Sequence, residues 1–172
     1  MTIFFCLSLV TIKAIVVMMR KKMGLKDYAL WLLGAREYTI KGLGDKCRER
    51  YPEQLEEVEI LINNFVQSKY LDDTRFCEVM IRSEIRKGNG SSKIMQKLIH
   101  KGVPIDLAKE QCAALIENTD LFGPAWTLSE KKKIQIDRKY PDLGDYEKRN
   151  KLTQYLAGRG YSYDLIKEVL SA

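Results

Sequence analysis

Residues 97–112 read KLIHKGVPIDLAKEQC, and residues 155–170 read YLAGRGYSYDLIKEVL, displaced by 58 positions and identical at six of sixteen. Leu98 matches Leu156, Gly102 matches Gly160, Asp106 and Leu107 match Asp164 and Leu165, and Lys109 and Glu110 match Lys167 and Glu168. Lys101 is answered by Arg159. Self-similarity at a fixed offset marks an array of like units, each burying its apolar face against its neighbours. Such an array is expected to be a scaffold with an extended surface rather than a pocketed enzyme.

The 172-residue chain is long enough to bury a real core, and its 45% hydrophobic and 30% charged residues suit a globular protein. A net charge of +6 favours an acidic partner: nucleic acid, an acidic protein surface or an anionic membrane. Much of the excess is local, at Arg20, Lys21 and Lys22 and again at Lys131, Lys132 and Lys133. Solvated helix faces or linkers are the plainer reading of both runs. Cys6, Cys47, Cys77 and Cys112 form no Cys-x-x-Cys pair and read as small core residues in a reducing compartment. His100, the single histidine, has no partner at metal-ligand spacing, so no metal site is expected.

Residues 1–24 form an apolar and basic N-terminal extension. The run from Ile3 to Met19 is interrupted by Ser8, Thr11 and Lys13, and Arg20, Lys21 and Lys22 follow it. Charge order and the missing small-residue cleavage site argue against a secretory signal. The run is short for a bilayer span, which takes about 20 residues. A membrane anchor, a strand, a loosely packed helix, or an extension ahead of a start at Met18, Met19 or Met23 all stay open.

From Leu25 onward the apolar spacing is helical, and the punctuation divides the chain into three groups of three helices. The expected repeats span 25–71, 72–120 and 121–172. In the first, helices cover 25–33 and 40–50, and Pro52 is expected to open a third with Leu55, Val58, Leu61, Ile62, Phe65 and Val66 as its stripe. In the second, Asp72 or Asp73 caps a helix carrying Phe76, Cys77, Met80, Ile81 and Ile85, and Gly88-Asn89-Gly90 ends it. Ser91 or Ser92 is expected to cap the next helix, with Ile94, Met95, Leu98 and Ile99 inward. Pro104 opens a helix with Leu107, Ala108, Cys112, Leu115 and Ile116 on its stripe. In the third repeat Gly123-Pro124 precedes a basic helix to about Tyr140, a second helix covers 145–158, and Ser162 caps the last. The fold class is all-α: three tandem three-helix repeats in an elongated, curved array.

Several constellations invite chemistry and yield to simpler readings. Gly88-Asn89-Gly90-Ser91-Ser92-Lys93 is glycine-rich ahead of a helix, as a phosphate loop is, but it lacks the third glycine, the preceding strand and the Gly-Lys-Ser/Thr of the known loops. It reads as a helix-to-helix connection. Asp72-Asp73 reads as a cap rather than half a metal site. No nucleophile elbow, second histidine or spaced acid and base pair is present, so no catalytic residue, cofactor or small-molecule substrate is expected. Lys93, Lys97 and Lys101 recur at every fourth position on one side of a helix, and with Arg82 and Arg86 they are candidates for holding phosphates or acidic side chains.

Motifs in order along the chain resemble the RecX family of recombinase regulators over roughly residues 25–171. They are Tyr28-Ala29-Leu30, Arg36-Glu37-Tyr38-Thr39, Tyr70-Leu71-Asp72-Asp73-Thr74-Arg75-Phe76, Gly88-Asn89-Gly90, Lys93-Ile94, Leu98, Lys101-Gly102-Val103, and Arg159-Gly160-Tyr161-Ser162 with Asp164 and Ile166. Two features depart from the pattern. Gly42 and Gly44 stand where relatives carry helix formers, each costing about 1 kcal/mol in a helix interior, so the second helix is expected to be frayed or short. The apolar N-terminus has no counterpart.

The resemblance implies a monomeric, cytoplasmic, non-enzymatic regulator of homologous recombination, DNA repair and the SOS response. Its partners would be RecA protein and the RecA–DNA filament, with a weak direct DNA contact and no membrane role. It would lie in the filament groove and mainly inhibit recombinase, ATPase and co-protease activity. The expected partner-binding residues are Arg82, Arg86, Lys93, Lys97, Lys101, Lys131, Lys132, Lys133 and Arg159. A helical DNA-binding module acting directly on nucleic acid is the alternative, although the last helix offers no arginine, asparagine or glutamine to read base edges.

Overall fold

The structure, a computed structural model, describes residues 23–117 and 119–172, without the side chains of Leu115 and Ile116. The N-terminal apolar run, Cys6 and the Arg20-Lys21-Lys22 cluster lie outside the described residues. The described residues form the helices α1 (Leu25–Ala35), α2 (Ile40–Arg50), α3 (Leu55–Gln67), α4 (Asp73–Arg86), α5 (Ser91–His100), α6 (Ile105–Glu117), α7 (Phe122–Lys139), α8 (Asp145–Gly158) and α9 (Tyr163–Val169). No strand occurs among them. Each three successive helices enclose an apolar cluster, which makes the architecture a tandem array of three-helix repeats. Ala29, Leu43, Cys47, Val58, Ile62 and Phe65 pack in the first cluster. Cys77, Ile81, Ile94, Leu98 and Ala108 belong to the second, and Ala125, Leu156, Tyr161, Ile166 and Val169 to the third. The chain divides between Leu71 and Asp72 into two compact units, so the second and third clusters share one unit.

In the first unit α2 is a full 11-residue helix, contrary to the frayed one expected from Gly42 and Gly44. Three local features offset the glycine cost. Thr39 caps the helix by accepting from the Gly42 N–H at 2.9 Å, and Leu43 and Cys47 are fully buried. Gly44 also leaves room for Arg48, whose guanidinium would lie 3.2 Å from a Cβ there. Arg48 folds back to donate to Asp45 Oδ1 at 2.9 Å and to Glu59 Oε1 of α3 at 2.7 Å, tying the two helices together. Pro52 does not open α3; it sits in a turn, and α3 begins at Leu55 after Gln54. Leu55 is half exposed, because it is the first residue of α3, at the end of the stripe that Val58 and Ile62 continue inward.

In the second unit Asp72 caps α4 through its Oδ1, which accepts from the Thr74 and Arg75 N–H groups. The ends of α4, α5 and α8 share one device. The N–H of Gly88 donates to Ile85 O and that of Asn89 to Glu84 O; Gly102 and Val103 donate to Ile99 O and Leu98 O; Gly160 and Tyr161 donate to Ala157 O and Leu156 O. These are Schellman turns, with the left-handed position filled by glycine at φ 73°, 92° and 87°. Leu98 and Leu156, paired by the sequence repeat, are both fully buried.

Neither Ser91 nor Ser92 caps α5. Gly90 holds the N-cap position, and the serines are the first two residues of the helix. The reason lies in the third repeat: Gly90 N–H donates to Arg159 O at 2.8 Å and Ser92 N–H to Gly160 O at 3.2 Å, so carbonyls distant in sequence satisfy amides at the helix start. A Cβ at Gly90 would overlap the Gly160 carbonyl, and one at Gly160 would lie 2.5 Å from Lys93 N. Two glycines thus allow backbone-to-backbone approach between repeats. Helix α7 starts at Phe122 and takes Gly123-Pro124 into its first turn, because Asp120 Oδ1 accepts from the Phe122 N–H at 2.8 Å.

Candidate partner-binding surface

The basic side chains singled out from the sequence occupy three settings, and local geometry separates them. On α4, Arg82 is exposed and loosely paired with Glu78 one turn earlier, at 3.8 Å. Arg86 is exposed near the end of the same helix. On α5, Lys101 is exposed at the C-cap. Lys93 is partly buried and donates to Gly158 O of α8 at 3.4 Å. Lys97 turns toward α4 and pairs with Glu84.

Glu84 is the polar residue that sequence reasoning missed. It is 5% exposed on the inner face of α4, between Ile81 and Ile85. Its Oε1 accepts from Lys87 at 2.8 Å, and its Oε2 accepts from Asn89 Nδ2 at 2.6 Å and from Lys97. Burial by itself raises the carboxyl pKa, but the hydrogen bonds from Lys87, Lys97 and Asn89 outweigh it and hold the group down to about 2. An acid on an apolar helical stripe was the available signal. The sidedness of the lysine row therefore differs from simple helical repetition: Lys97 serves the fold, Lys93 faces the third repeat, and Lys101 faces solvent.

Arg159 extends this network. Its Nη1 donates to Lys87 O at 3.4 Å and Asn89 Oδ1 at 3.5 Å, and its Nη2 donates to the Tyr155 hydroxyl at 3.2 Å. Its guanidinium also lies 5.4 Å from the centre of the Tyr155 ring. On α7, Lys131 and Lys133 are exposed, while Lys132 sits 5.1 Å from that ring. Arg159 and Lys132 are thus brought together on Tyr155.

The arrangement can present fixed positive charge to an anionic surface. Among the described residues no cluster of three His, Cys, Asp or Glu side chains could hold a metal ion. Cys47, Cys77 and Cys112 are buried free thiols, and desolvation pushes their pKa values up. No helix of the described residues is long and apolar enough to cross a membrane.

Two family descriptions match the second unit: "RecX, second three-helix domain" over residues 72–110 and "RecX, third three-helix domain" over residues 130–170. Among similar proteins, a "Regulatory protein RecX" of Vibrio parahaemolyticus is 33% identical over 146 residues, covering 85% of this chain and 89% of that protein. One from Acidithiobacillus ferrooxidans is 30% identical, covering 84% of this chain and 87% of its own. Among solved structures, RecX from Lactobacillus salivarius superposes with a TM-score of 0.72 at 26% identity, covering 86% of this chain and 92% of that one.

Proposed function

The chain belongs to the RecX family of regulatory proteins, and on that premise we propose that it binds RecA or the RecA–DNA filament in the cytoplasm and holds recombinase activity down. The observation that supports the reading is similarity along 85% of the chain to a protein named "Regulatory protein RecX". The repeats, placed at 25–71, 72–120 and 121–172, each offer a contact, so individually weak contacts to successive subunits add through multivalency. Binding in place of chemistry is the mode of action: occupation of the filament limits its growth and dampens strand exchange, ATP turnover and co-protease signalling, and so DNA repair and the SOS response. Arg82, Arg86 and Lys101, all exposed, are the cations placed to act by long-range attraction.

The test is ATP hydrolysis by RecA filaments on single-stranded DNA, titrated with the purified chain. Inhibition is expected at ratios below one chain per recombinase subunit. Arg82→Glu, Arg86→Glu and Lys101→Glu together should slow association about tenfold or more at low salt, an effect that fades as salt rises. No change in hydrolysis at saturating chain would refute the reading.

A further inference from the structure

Helix α3 of the first unit has an outer face of unusual composition. Its buried stripe is Val58, Ile62 and Phe65, and at about 100° per residue the opposite side of the helix falls between Glu56 and Ile60. Ile60 is 61% exposed there, more than any other large aliphatic side chain among the described residues. Glu53, Glu56 and Glu57 are exposed beside it, and Asn64 and Gln67 continue the face. From Pro52 to Ser68 the sequence holds no lysine or arginine. Arg48 of α2 reaches Glu59 at the edge of the face, and among the described residues the other three acids have no cation. A single exposed isoleucine is ordinary. This one stands in the middle of a surface whose charge is all of one sign.

The second unit carries the complementary surface. Lys132, Gln135 and Lys139 of α7, at i, i+3 and i+7, face Lys151, Gln154 and Tyr155 of α8 across a groove of about 540 Å³ that no carboxylate lines. Its floor is apolar, made by the buried Ile136 and the rings of Tyr140 and Tyr155. Its rim is cationic. Lys151 Nζ lies 4.6 Å and Lys139 Nζ 5.3 Å from the centre of the Tyr140 ring, and Lys132 Nζ lies 5.1 Å from that of Tyr155. The ring faces offset part of the repulsion among these ammonium groups. On the opposite flank of the same two helices the charges are already matched, with Lys148 paired to Asp137 at 2.9 Å.

We infer that the outer face of α3 in one copy of the chain seats in the groove between α7 and α8 of a second copy. The match runs group by group: the glutamates meet the lysine rim, Ile60 covers the apolar floor, and the amides of Asn64 and Gln67 meet those of Gln135 and Gln154. A helix laid on a pair of helices is the packing that each repeat already uses within itself, and an amphipathic helix in a groove is a common mode of recognition. Opposite charge on the two surfaces steers them together and holds like surfaces apart. The two surfaces are different, so the contact is heterologous. Each copy added leaves one α3 face and one groove open, and association proceeds past a pair, to a ring or an open row. This departs from the monomer that the resemblance implies, and it stands independently of the function proposed above.

The test is sedimentation equilibrium of the nuclease-treated full chain alone. At low salt the average mass should rise with concentration from 19.9 kDa past that of a pair, and it should fall back as salt screens the contact. Two charge reversals then separate the surfaces. Glu56→Lys with Glu57→Lys makes both surfaces basic, and Lys132→Glu with Lys151→Glu makes both acidic, so each variant alone should associate at least tenfold more weakly than the parent. Mixing the two variants should restore association, because each now offers what the other lacks. Lys133→Glu with Arg149→Glu, on the opposite flank, should behave as the parent. Ile60→Ser changes no charge and should weaken association at least tenfold, which tests the contact even if a charge reversal unfolds. The inference is overturned if the parent stays at 19.9 kDa up to about 1 mM at low salt or levels off as a pair. It is equally overturned if the mixture of folded variants stays monomeric, or if Ile60→Ser associates like the parent.

Discussion

The turns that end α4 and α5 have the same backbone and opposite contents. Both are Schellman turns with glycine in the left-handed position, and in both the sixth N–H returns to the carbonyl of the first residue. After α5 the two residues joined by that bond are Leu98 and Val103, both buried, and the turn after α8 repeats the scheme with Leu156 and Tyr161. After α4 the same places hold Glu84 and Asn89, joined by a 2.6 Å hydrogen bond between buried side chains. The polar version stands where Arg159 of the third repeat arrives on Asn89. Backbone geometry is thus repeated as a module, while the side chains differ: the turn after α8 meets its neighbour through backbone carbonyls, and the turn after α4 receives Arg159 on a polar side chain.

Substitutions at equivalent places can break this comparison. The largest effect is expected in the shared apolar core: Leu98→Ala and Leu156→Ala should each lose about 2–5 kcal/mol in urea unfolding, as emptied leucine sites do. A loss near zero at either one would end their equivalence. Next comes the difference between glycines. Alanine at Gly102 should cost about 1–2 kcal/mol for the left-handed backbone. At Gly160 the backbone of Lys93 adds a clash, for a total of about 3 kcal/mol. Equal losses would mean that the repeats are not in backbone contact.

The polar turn is probed by Glu84→Gln, which should cost about 2 kcal/mol, the worth of charge-assisted hydrogen bonds. With its carboxyl held at about 2 against an ordinary 4.5, Glu84 contributes stability that is complete above pH 4.5 and lost as pH falls toward 2. The gap between the urea midpoints at pH 7 and pH 3 should therefore be smaller in the variant than in the parent. The smallest effect belongs to Tyr161, whose hydroxyl is buried without a hydrogen bond among the described residues. Tyr161→Phe should gain about 1 kcal/mol by removing it; a loss would reveal a partner.

The helices and their ends were largely legible because their causes are local. Apolar spacing, Asp72 and Ser162 as caps, and glycine after a helix all act within a turn or two. What was hidden depends on chain far away. Ser91 and Ser92 look like caps until the Arg159 and Gly160 carbonyls supply that role, and Gly44 looks like a weak point until Arg48 folds over it toward Glu59. The basic surface was legible as residue types but not as sides. Lys97 joined the row by periodicity, yet the buried Glu84 claims it, and the joint setting of Lys132 and Arg159 on Tyr155 needs two helices from opposite sides of a loop.

The carbonyls that finish α5 also impose an order of assembly. A span of 70 residues separates Asn89 from the Arg159 that reaches it. At about 5–20 residues per second, a chain under synthesis waits several seconds between making the start of α5 and making the groups that complete it. Until then the second repeat holds unsatisfied amides at Gly90 and Ser92 and an open place beside Asn89. Residues 72–172 therefore mature as one cooperative block rather than repeat by repeat, so a nascent chain halted before Tyr155 should remain sensitive to protease at the glycine-rich junction even though α4, α5 and α6 have already been translated.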